Sequence, residues 1–269
     1  MLVFYCISSS TLNYYLKLMI IYIGFLNMSI WQTLYGIFHT TYETSRFAKK
    51  LLDPLGYLLG IKFTVKGAEL INKDQPYIIV CNHQHALDII SVMQIWDKFD
   101  KAAVAAKKEL KWMATFGIGL QMAGAVFIER NHKAGAKDAL NKAVQKAKSN
   151  KTSIALFPEG TRHLRSSDGI NMLQFKKGAF HMALNAGLPI LRIVISEYTF
   201  IDEKRKRFEN CNEDNKLYSR IKQRNDLHVT ISILQPIETE ALSLDDINKL
   251  VERTRNEMMS TFEDTSKKQ

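Results

Sequence analysis

The chain has 269 residues, of which 46% are hydrophobic and 24% are charged. This composition is globular and excludes a disordered or fibrous protein, and the length allows one large domain with a sizeable core. Lysines and arginines (37) outnumber aspartates and glutamates (27), so the net charge of +10 favours an anionic partner. Cys6, Cys81 and Cys211 are far apart and form no CxxC pair, which excludes a disulfide framework and indicates a reducing compartment.

The chain begins with a hydrophobic segment in which Lys17 is the only charged side chain before residue 43, with histidine counted as neutral. The uncharged residues 18–42 would form a helix about 37 Å long, enough to cross a hydrocarbon core of roughly 30 Å. Polar residues such as Asn27 and Gln32 interrupt the run, so a helix pair lying within one leaflet is an alternative to a spanning helix. A cleaved signal peptide is a second alternative, although a basic start and an obvious small-residue cleavage site are both lacking.

The uneven distribution of charge predicts two regions. We expect a hydrophobic, membrane-anchoring helical segment over residues 1–45 and a folded domain over residues 46–269. Arg46, Lys49 and Lys50 follow the hydrophobic segment directly. The tendency of positive residues to remain on the cytosolic side therefore places the folded domain in the cytosol.

The folded region alternates short apolar runs with amphipathic stretches, a pattern typical of an α/β protein. The apolar runs predict buried strands at residues 77–81, 102–106, 125–128, 153–157, 189–195 and 228–234. Helical spacing predicts helices at residues 86–96, 110–122, 134–148, 175–186 and 244–262. We predict an α/β fold with a mostly parallel or mixed sheet flanked by helices, with functional loops at the carboxyl ends of strands. The mixed-charge residues 202–226 are predicted to form a solvated excursion before the last strand.

The sequence NHQHALD, residues 82–88, places an imidazole and a carboxylate directly after a predicted strand. A regular helix would turn His83 and Asp88 about 140° apart, but they meet if His83 lies in the loop and Asp88 in the first helical turn. A histidine whose Nδ1 proton is held by a carboxylate presents its other nitrogen as a base. The chain has no GxSxG nucleophile elbow, which favours direct deprotonation of a substrate hydroxyl. Alternatively, Asn82 caps the helix while His83 and Asp88 form only local hydrogen bonds.

A second block, FPEGTR, follows another predicted strand and ends at Arg162. Gly160 lets the backbone approach a ligand closely, and Arg162 can bind phosphate through two parallel hydrogen bonds. Lys176 and Lys177 lie near the start of the next predicted helix, where they add to its positive end. Glu159 is expected to brace Arg162 or to accept a ligand hydroxyl. These features predict a phosphomonoester site, and the alternative is a tight turn with a surface ion pair.

Two further blocks complete the pattern. GAVFIER ends a predicted strand with Glu129 and Arg130, which places another cation at the same edge of the sheet. GLPILRIVIS combines a helix stop, a turn and a long apolar strand, and packing explains nearly all of it. The last block therefore supports the fold more than the chemistry.

The four blocks, in this order, resemble those of the glycerophospholipid acyltransferases, and most closely the 1-acyl-sn-glycerol-3-phosphate acyltransferases. NHQHALD is similar to the family's NHQSxLD block, GAVFIER to GVIFIDR and LPILRIVIS to LPIVPIVIS, while FPEGTR is unchanged. The resemblance extends from about residue 60 to the final helix. It implies that residues 46–269 form an acyltransferase catalytic domain.

The resemblance also implies roles for the matched residues. His83 is implied to be the general base, and Asp88 the group that orients it. The residues implied to bind the acceptor's phosphate and glycerol, or to add positive charge beside them, are Arg130, Glu159, Gly160, Thr161, Arg162, Lys176 and Lys177. In the implied reaction the sn-2 hydroxyl, deprotonated by His83, attacks the thioester of acyl-CoA and yields phosphatidate and free CoA. The resemblance implies no metal or bound cofactor, since acyl-CoA is a co-substrate.

The implied partners are acyl-CoA and lipid substrates of a membrane. The hydrophobic segment and the resemblance together favour the endoplasmic reticulum membrane, with the catalytic domain facing the cytosol. The net charge of +10 would also suit a nucleic acid, but no helix-turn-helix, zinc-finger or aromatic RNA-binding motif accompanies it. We therefore predict no nucleic-acid partner.

Three positions depart from the family's blocks: His85 replaces a serine, Glu129 an aspartate and Arg192 a proline. His85 would add a competing titratable ring beside His83, and the longer Glu129 would change which lysophospholipid headgroup fits. Transfer to another lysophospholipid or to glycerol-3-phosphate therefore stays open. A thioester hydrolase that uses the same His–Asp pair and a non-catalytic module that binds phosphatidic acid are the alternatives from other classes.

Overall fold

The computed structural model describes residues 9–129, 136–163, 172–208 and 227–267. It begins with the helices α1 (Ser9–Gly36) and α2 (Thr41–Leu58). Thr40 starts α2 through a capping box, in which its hydroxyl accepts the N–H of Glu43 and the Glu43 carboxylate accepts the N–H of Thr40. Because the chain turns between these helices, the uncharged run predicted as one helix is divided between two.

Strands and helices alternate through the rest of the chain. In order they are β1 (Ile61–Lys66), β2 (Ile78–Cys81), α3 (Asp88–Met93), β3 (Ala102–Lys107), α4 (Ala114–Met122), β4 (Val126–Ile128), α5 (Ala136–Ser149), β5 (Ser153–Leu156), α6 (Gly178–Ala186), β6 (Ile190–Ile195), β7 (Ile201–Asp202), β8 (Arg207–Phe208), β9 (Leu227–Ile237) and α7 (Ile247–Ser266). All six predicted strands are present within this series, and each predicted helix corresponds to an observed one with shifted ends.

Seven of the described strands form one sheet in the order β1-β9-β6-β2-β5-β3-β4. Neighbouring strands are parallel except β6 and β9, which are antiparallel. β7 and β8 form a separate antiparallel pair. The predicted α/β class with a mostly parallel sheet flanked by helices is confirmed.

The central strand β2 is buried on both faces, and its alternating side chains divide the core into two layers. Ile79 and Cys81 pack in the layer covered by α1, α2 and α3. Ile78 and Val80 pack in the opposite layer, covered by α5, α6 and α7. A continuous apolar run is what a parallel strand covered on both faces requires.

Helix α1 packs one face against the rest of the protein and leaves the other exposed. Buried Ile21 and Phe25 join the core on the inward face. A Cβ on Gly24 would lie 2.6 Å from a terminal methyl of Leu55, so α1 and α2 approach closely at this glycine. Within the described residues, Ser10–Gly36 is the one stretch long and apolar enough to cross a membrane, and 28% of its most apolar window is buried.

The charged stretch at residues 202–226 is not wholly solvated, which corrects the prediction. Its first residues form the β7–β8 hairpin, and Phe208 is fully buried with its ring stacked on Phe200 at 5.6 Å. The ammonium of Lys17 on α1 donates to the carbonyl of Phe208 at 2.8 Å. Residues 209–226 lie outside the described residues. The hairpin therefore joins α1 to the body of the protein.

Sequence reasoning also missed β1, the edge strand, in which Ile61, Phe63 and Val65 alternate with polar residues. Such alternation is the ordinary signal of a strand covered on one face. The predicted division at residues 45 and 46 falls inside α2, so one continuous helix crosses it. The division into an anchor and a catalytic domain stays a prediction.

Candidate active site

The candidate site lies where neighbouring parallel strands end. β2 pairs in parallel with both β5 and β6, so the loops that leave these three strands lie at one edge of the sheet. The first loop carries NHQHALD, the second carries FPEGTR and the third leads to Tyr198. Ligand sites in parallel sheets form at this edge, as the sequence predicted.

The structure brings His83 and Asp88 together. His83 lies in the loop after β2 and Asp88 is the first residue of α3, so their side chains meet although a regular helix would separate them. His83 Nδ1 lies 2.7 Å from Asp88 Oδ2, the imidazole is 19% exposed and the carboxylate is fully buried. Since Nδ1 is directed at the carboxylate, Nε2 is the nitrogen available to a ligand.

Asp88 is surrounded by hydrogen-bond donors. Its Oδ2 also accepts the backbone N–H groups of Gln84 at 2.6 Å and His85 at 3.0 Å. Its Oδ1 accepts the hydroxyl of Tyr198 at 2.7 Å. Burial, followed by the nearby Asp88, raises the pKa of Tyr198 well above its ordinary value, so the phenol keeps its proton. These donors fix the orientation of the Asp88 side chain.

Amide side chains tie the His83 loop to the neighbouring strand. The side-chain amide of Asn82 donates to the carbonyl of Ile195 at 2.9 Å and accepts the N–H of Ile195 at 2.8 Å. Gln84 Nε2 donates to the carbonyls of Ile195 at 3.0 Å and Ser196 at 3.1 Å. The alternative that Asn82 caps the following helix is therefore wrong, because Asn82 bridges β2 and β6. Sequence reasoning assigned no role to Gln84.

The FPEGTR loop supports His83 from the other side. The ring of Phe157 stacks on the imidazole of His83 with centroids 4.0 Å apart and planes within 13°. Glu159 accepts the N–H of His83 at 2.8 Å through Oε1 and the N–H of Leu173 at 2.9 Å through Oε2. The expectation that Glu159 braces Arg162 is wrong, because both carboxylate oxygens bind backbone amides. Burial raises the pKa of Glu159, while these two amides oppose the shift.

Gly160 is held in a conformation that residues with a Cβ rarely adopt. Its φ is +76°, and a Cβ would lie 2.8 Å from both Cε and Nζ of Lys176. The backbone N–H of Lys176 donates to the carbonyl of Pro158 at 2.8 Å, which joins the two segments. The ammonium of Lys176 therefore lies directly over the FPEGTR loop.

The other cations occupy different positions. Thr161, Arg162 and Lys177 are exposed, and Lys177 immediately precedes α6. The guanidinium of Arg162 is close enough to His85 for its charge to contribute to lowering the pKa of that ring. Arg162 and Lys176 thus share the edge of the sheet that holds His83.

Arg130 lies outside the described residues. The strand before it, β4, is separated from β2 by β5 and β3, which at about 4.8 Å per strand is roughly 14 Å. Glu129, the last described residue of that block, forms an ion pair with Lys108 at 2.9 Å. The proposed contact of Arg130 with a ligand stays a prediction.

Two departures from the family's blocks have structural explanations. His85 is buried and its Nδ1 accepts the N–H of Leu87 at 3.3 Å. Burial is the main cause that lowers the pKa of His85, so this ring is neutral at neutral pH and does not compete with His83 as a charged group. Arg192 is also buried, and its guanidinium pairs with Glu257 on α7 and donates to the carbonyl of Gln235 at 2.6 Å. It holds α7 against the sheet.

Within the described residues, no group of three or more histidine, cysteine, aspartate or glutamate side chains is arranged to hold a metal ion. The candidate site combines an oriented imidazole, a buried carboxylate and exposed cations beside them.

Comparison with known proteins agrees with this arrangement. The sequence profile of the family described as Acyltransferase matches residues 62–196. The human 1-acyl-sn-glycerol-3-phosphate acyltransferase alpha is 32% identical over 225 residues, covering 83% of this chain and 72% of that protein. The 1-acyl-sn-glycerol-3-phosphate acyltransferase of Saccharomyces cerevisiae is 34% identical over 209 residues, covering 77% and 62%.

The fold has a counterpart among solved structures. The crystal structure of PlsC, the 1-acyl-sn-glycerophosphate acyltransferase from Thermotoga maritima, superimposes with a TM-score of 0.61. The superposition covers 94% of each chain at 23% sequence identity, which supports the fold alone. From the matched profile and the similar sequences, we conclude that this chain belongs to the acyltransferase family, in the branch that contains the 1-acyl-sn-glycerol-3-phosphate acyltransferases.

Proposed function

We propose that this protein transfers the acyl group of acyl-CoA to the sn-2 hydroxyl of 1-acyl-sn-glycerol-3-phosphate, forming phosphatidic acid. The observation that carries the proposal is the 2.7 Å contact between His83 Nδ1 and the fully buried Asp88, with exposed Arg162 and Lys176 at the same edge of the sheet. The relatives named above act on this acceptor by name. An oriented base beside cations suits an alcohol that carries a phosphate.

The proposed reaction needs the two substrates and the imidazole of His83, which takes up one proton and then releases it. His83 Nε2 takes the proton of the sn-2 hydroxyl, and the oxygen attacks the thioester carbonyl. The tetrahedral oxyanion collapses, the carbon–sulfur bond breaks and the CoA thiolate takes the proton back from His83. Asp88 stabilises the intermediate imidazolium because its carboxylate is held by its own donors. The proposal includes no metal or bound cofactor.

The cations divide into two proposed roles. Arg162 can bind the acceptor's phosphate through two hydrogen bonds, and Lys176 adds a charge above Gly160. We propose that Thr161, Lys177 and Arg130 also contribute to binding the acceptor's phosphate and glycerol. Glu159 acts indirectly, since its carboxylate joins the His83 loop to residue 173. It is therefore proposed as a positioning residue for the site.

The outward face of α1 supports a membrane location. Its exposed apolar side chains recur every three or four residues and are Leu12, Tyr15, Leu16, Met19, Tyr22, Ile23, Leu26, Ile30, Trp31 and Leu34. A continuous apolar stripe opposite a packed face suits a helix that lies in the plane of one leaflet. We propose this insertion, with the catalytic domain on the cytosolic side of the endoplasmic reticulum membrane. A lysophospholipid would then reach the site from the same leaflet.

The test is a transfer assay with radiolabelled oleoyl-CoA and a panel of lysophospholipids, using the protein reconstituted in vesicles. We expect His83→Ala to lower kcat by about 10³-fold, because general-base catalysis contributes on the order of 10²–10⁴. His228→Ala is a matched control, since His228 is exposed on β9, which pairs with β1 and β6 and not with β2. Normal turnover by His83→Ala would refute the base assignment.

The same assay separates the alternatives. Release of CoA without an acceptor would favour a thioester hydrolase. Faster transfer to another lysophospholipid or to glycerol-3-phosphate would change the acceptor but keep the reaction. Binding of phosphatidic acid with neither transfer nor release would favour a non-catalytic lipid-binding module.

A further inference from the structure

A second exposed apolar feature lies between β3 and α4. We call residues 107–113 the Trp112 loop; they include the 3-10 helix Lys108–Trp112. Trp112 is 79% exposed and Met113 is 54% exposed, although both are large apolar side chains. Exposed apolar side chains of this size, when they lie together, mark a surface that contacts another apolar phase.

The backbone around the Trp112 loop is closely packed. A Cβ on Gly117 would lie 2.3 Å from the carbonyl oxygen of Lys111 and 2.6 Å from that of Leu110. Ala114 follows the loop with φ at 38°, a left-handed conformation that a residue with a Cβ adopts only when its surroundings impose it. Trp112 and Met113 are therefore held outward by the fold.

The Trp112 loop is joined to the membrane helix proposed above. Thr115, two residues after the loop, pairs its hydroxyl with Ser29 of α1 at 3.1 Å, and its carbonyl accepts the hydroxyl of Thr33 at 3.4 Å. Ile30, the residue after Ser29 on α1, is exposed. Ile118, three residues after Thr115 on α4, is exposed as well. The Trp112 loop therefore lies beside α1.

The loop that carries the exposed tryptophan also carries three lysines and one glutamate, Glu109. Lys107 and Lys108 are exposed, and the ammonium of Lys111 lies 5.7 Å from the centroid of the Trp112 ring. Lys108 also pairs with Glu129, so Lys107 and Lys111 are the better candidates for an external anion. Tryptophan flanked by lysine is typical of the boundary between headgroups and acyl chains, where the ring is half buried and the ammonium reaches a phosphate.

We infer that the Trp112 loop is a second membrane contact, which inserts Trp112 and Met113 into the headgroup boundary of an anionic leaflet. Lys107 and Lys111 bind phosphate groups of that leaflet. The inference rests on the proposed membrane insertion of α1 and adds a second point of attachment to it. A helix alone leaves the domain free to rotate about the helix axis, whereas a second contact beside it fixes which side of the domain faces the lipid.

The three tryptophans of the chain make a direct test possible. Trp96 is 2% exposed, Trp31 on α1 is 51% exposed and Trp112 is 79% exposed. The variant Trp31→Phe therefore leaves Trp112 as its only exposed tryptophan, and Trp31→Phe/Trp112→Phe leaves only buried Trp96. Both full-length variants would be reconstituted in vesicles of phosphatidylcholine and phosphatidylserine, with bromine on the upper carbons of the phosphatidylcholine acyl chains.

We expect the brominated lipid to quench the emission of Trp31→Phe at least twofold more than that of the double variant. Equal quenching in the two variants would overturn the inference. Acrylamide quenching of Trp112 in lipid-free protein tests a different occupant. If Trp112 is protected from acrylamide and this protection is lost on dilution, the surface binds a second copy of the chain, which would overturn the inference.

The role of the lysines is tested by charge reversal in the Trp31→Phe background. Lys107→Glu/Lys111→Glu should reduce the quenching in anionic vesicles by more than in vesicles of phosphatidylcholine alone. Lys249→Glu/Lys267→Glu is the matched control, because both lysines are exposed on or just after α7 in the opposite layer. An equal effect of the two pairs would contradict the lysine contacts.

Sedimentation with vesicles separates this inference from the proposed insertion of α1. Protein that sediments with vesicles while Trp112 stays unquenched would contradict the Trp112 contact and leave the insertion of α1 standing. Protein that does not sediment would contradict both. The transfer assay reports independently on the proposed reaction.

Discussion

At the scale of single residues, the candidate base depends on contacts that reach it through other side chains. Asp88 holds His83, and Tyr198 holds the second oxygen of Asp88 while it also lies 3.0 Å from the hydroxyl of Ser91. Glu159 and Phe157 support His83 from the FPEGTR loop. The orientation of one imidazole is thus fixed by residues from three separate loops, and each supporting contact has a measurable consequence.

Tyr198→Phe should lower kcat by about 10-fold and leave the KM for the acceptor unchanged, since a lost hydrogen bond to a charged group costs at least about 1.5 kcal/mol and each 1.36 kcal/mol of barrier is about tenfold in rate. The variant removes the donor to Asp88 Oδ1 and leaves a buried carboxylate oxygen without that bond. Steady-state kinetics over a range of acceptor concentrations would check it. Tyr57→Phe is the control, because Tyr57 is exposed on α2. An unchanged kcat would show that Tyr198 is not a positioning residue.

His85 predicts a pH dependence of stability. Its folded-state pKa is lowered, mainly by burial, so below the ordinary histidine value the unfolded chain binds a proton that the folded chain does not. The contribution of neutral His85 to stability is therefore present above about pH 6.5 and is lost as the pH falls further. The variant His85→Ser has no imidazole at this position. Its free energy of unfolding should therefore lack the pH-dependent contribution of His85.

Thermal unfolding in detergent micelles would measure this effect. The difference in Tm between the wild type and His85→Ser should narrow as the pH falls from about 7.5 to about 5, because only the wild type loses this contribution. The difference between the wild type and His228→Ser should stay constant, since His228 is exposed. A gap that widens toward acidic pH for His85→Ser would contradict the neutral state of His85.

At the scale of elements, the β7–β8 hairpin links α1 to the candidate site. Lys17 binds the carbonyl of Phe208, and its ammonium also lies 4.7 Å from the centroid of the Phe208 ring. At the other end of the hairpin, Glu203 lies 3.7 Å from His85. The one charged residue of the hydrophobic segment therefore has a structural use within the protein.

Lys17→Met keeps most of the length of the side chain but loses the hydrogen bond and the positive charge. We expect faster hydrogen–deuterium exchange in β7 and β8 and a loss of about 1.5 kcal/mol of unfolding free energy, the lower end of the scale for a hydrogen bond that involves a charged group, since this bond is only partly buried. Lys204→Met, in the turn of the same hairpin, is the control because Lys204 is exposed. Equal exchange in both variants would show that Lys17 does not hold the hairpin.

Short-range signals allowed much of this architecture to be predicted from the sequence. The apolar runs located six strands, and the spacing in NHQHALD brought His83 to Asp88 once the helix began at Asp88. The contact of Tyr198 with Asp88 joins residues 110 positions apart, and nothing in the local sequence signals it. The burial of Phe208 could not be predicted from its charged sequence neighbours, because it depends on the tertiary contact with Phe200. Local patterns therefore predicted the elements, and the long-range contacts required the structure.

At the scale of the whole molecule, the packing of α1 bears on how the protein meets the membrane. One face of α1 contributes Tyr14, Ile21 and Phe25 to the same core as the central sheet, and Lys17 bonds to the hairpin. A helix that crossed the bilayer would have to separate from these contacts and would expose the side chains that they bury. Insertion into one leaflet keeps the contacts and places the opposite, apolar face in lipid.

Insertion of α1 into one leaflet would leave both ends of the helix on the same side of the membrane as the catalytic domain. In a Cys6→Ser/Cys211→Ser background, single cysteines at Ser10, His39 and Lys249 would be treated with a membrane-impermeant maleimide in sealed vesicles. Cys81 is buried and is kept in all variants, so any labelling of it is the same in each and can be subtracted. We expect all three positions to be labelled in the same vesicles, because α1 stays packed against the domain. Labelling of Ser10→Cys only after the vesicles are opened, with Lys249→Cys labelled before, would show that α1 spans the bilayer.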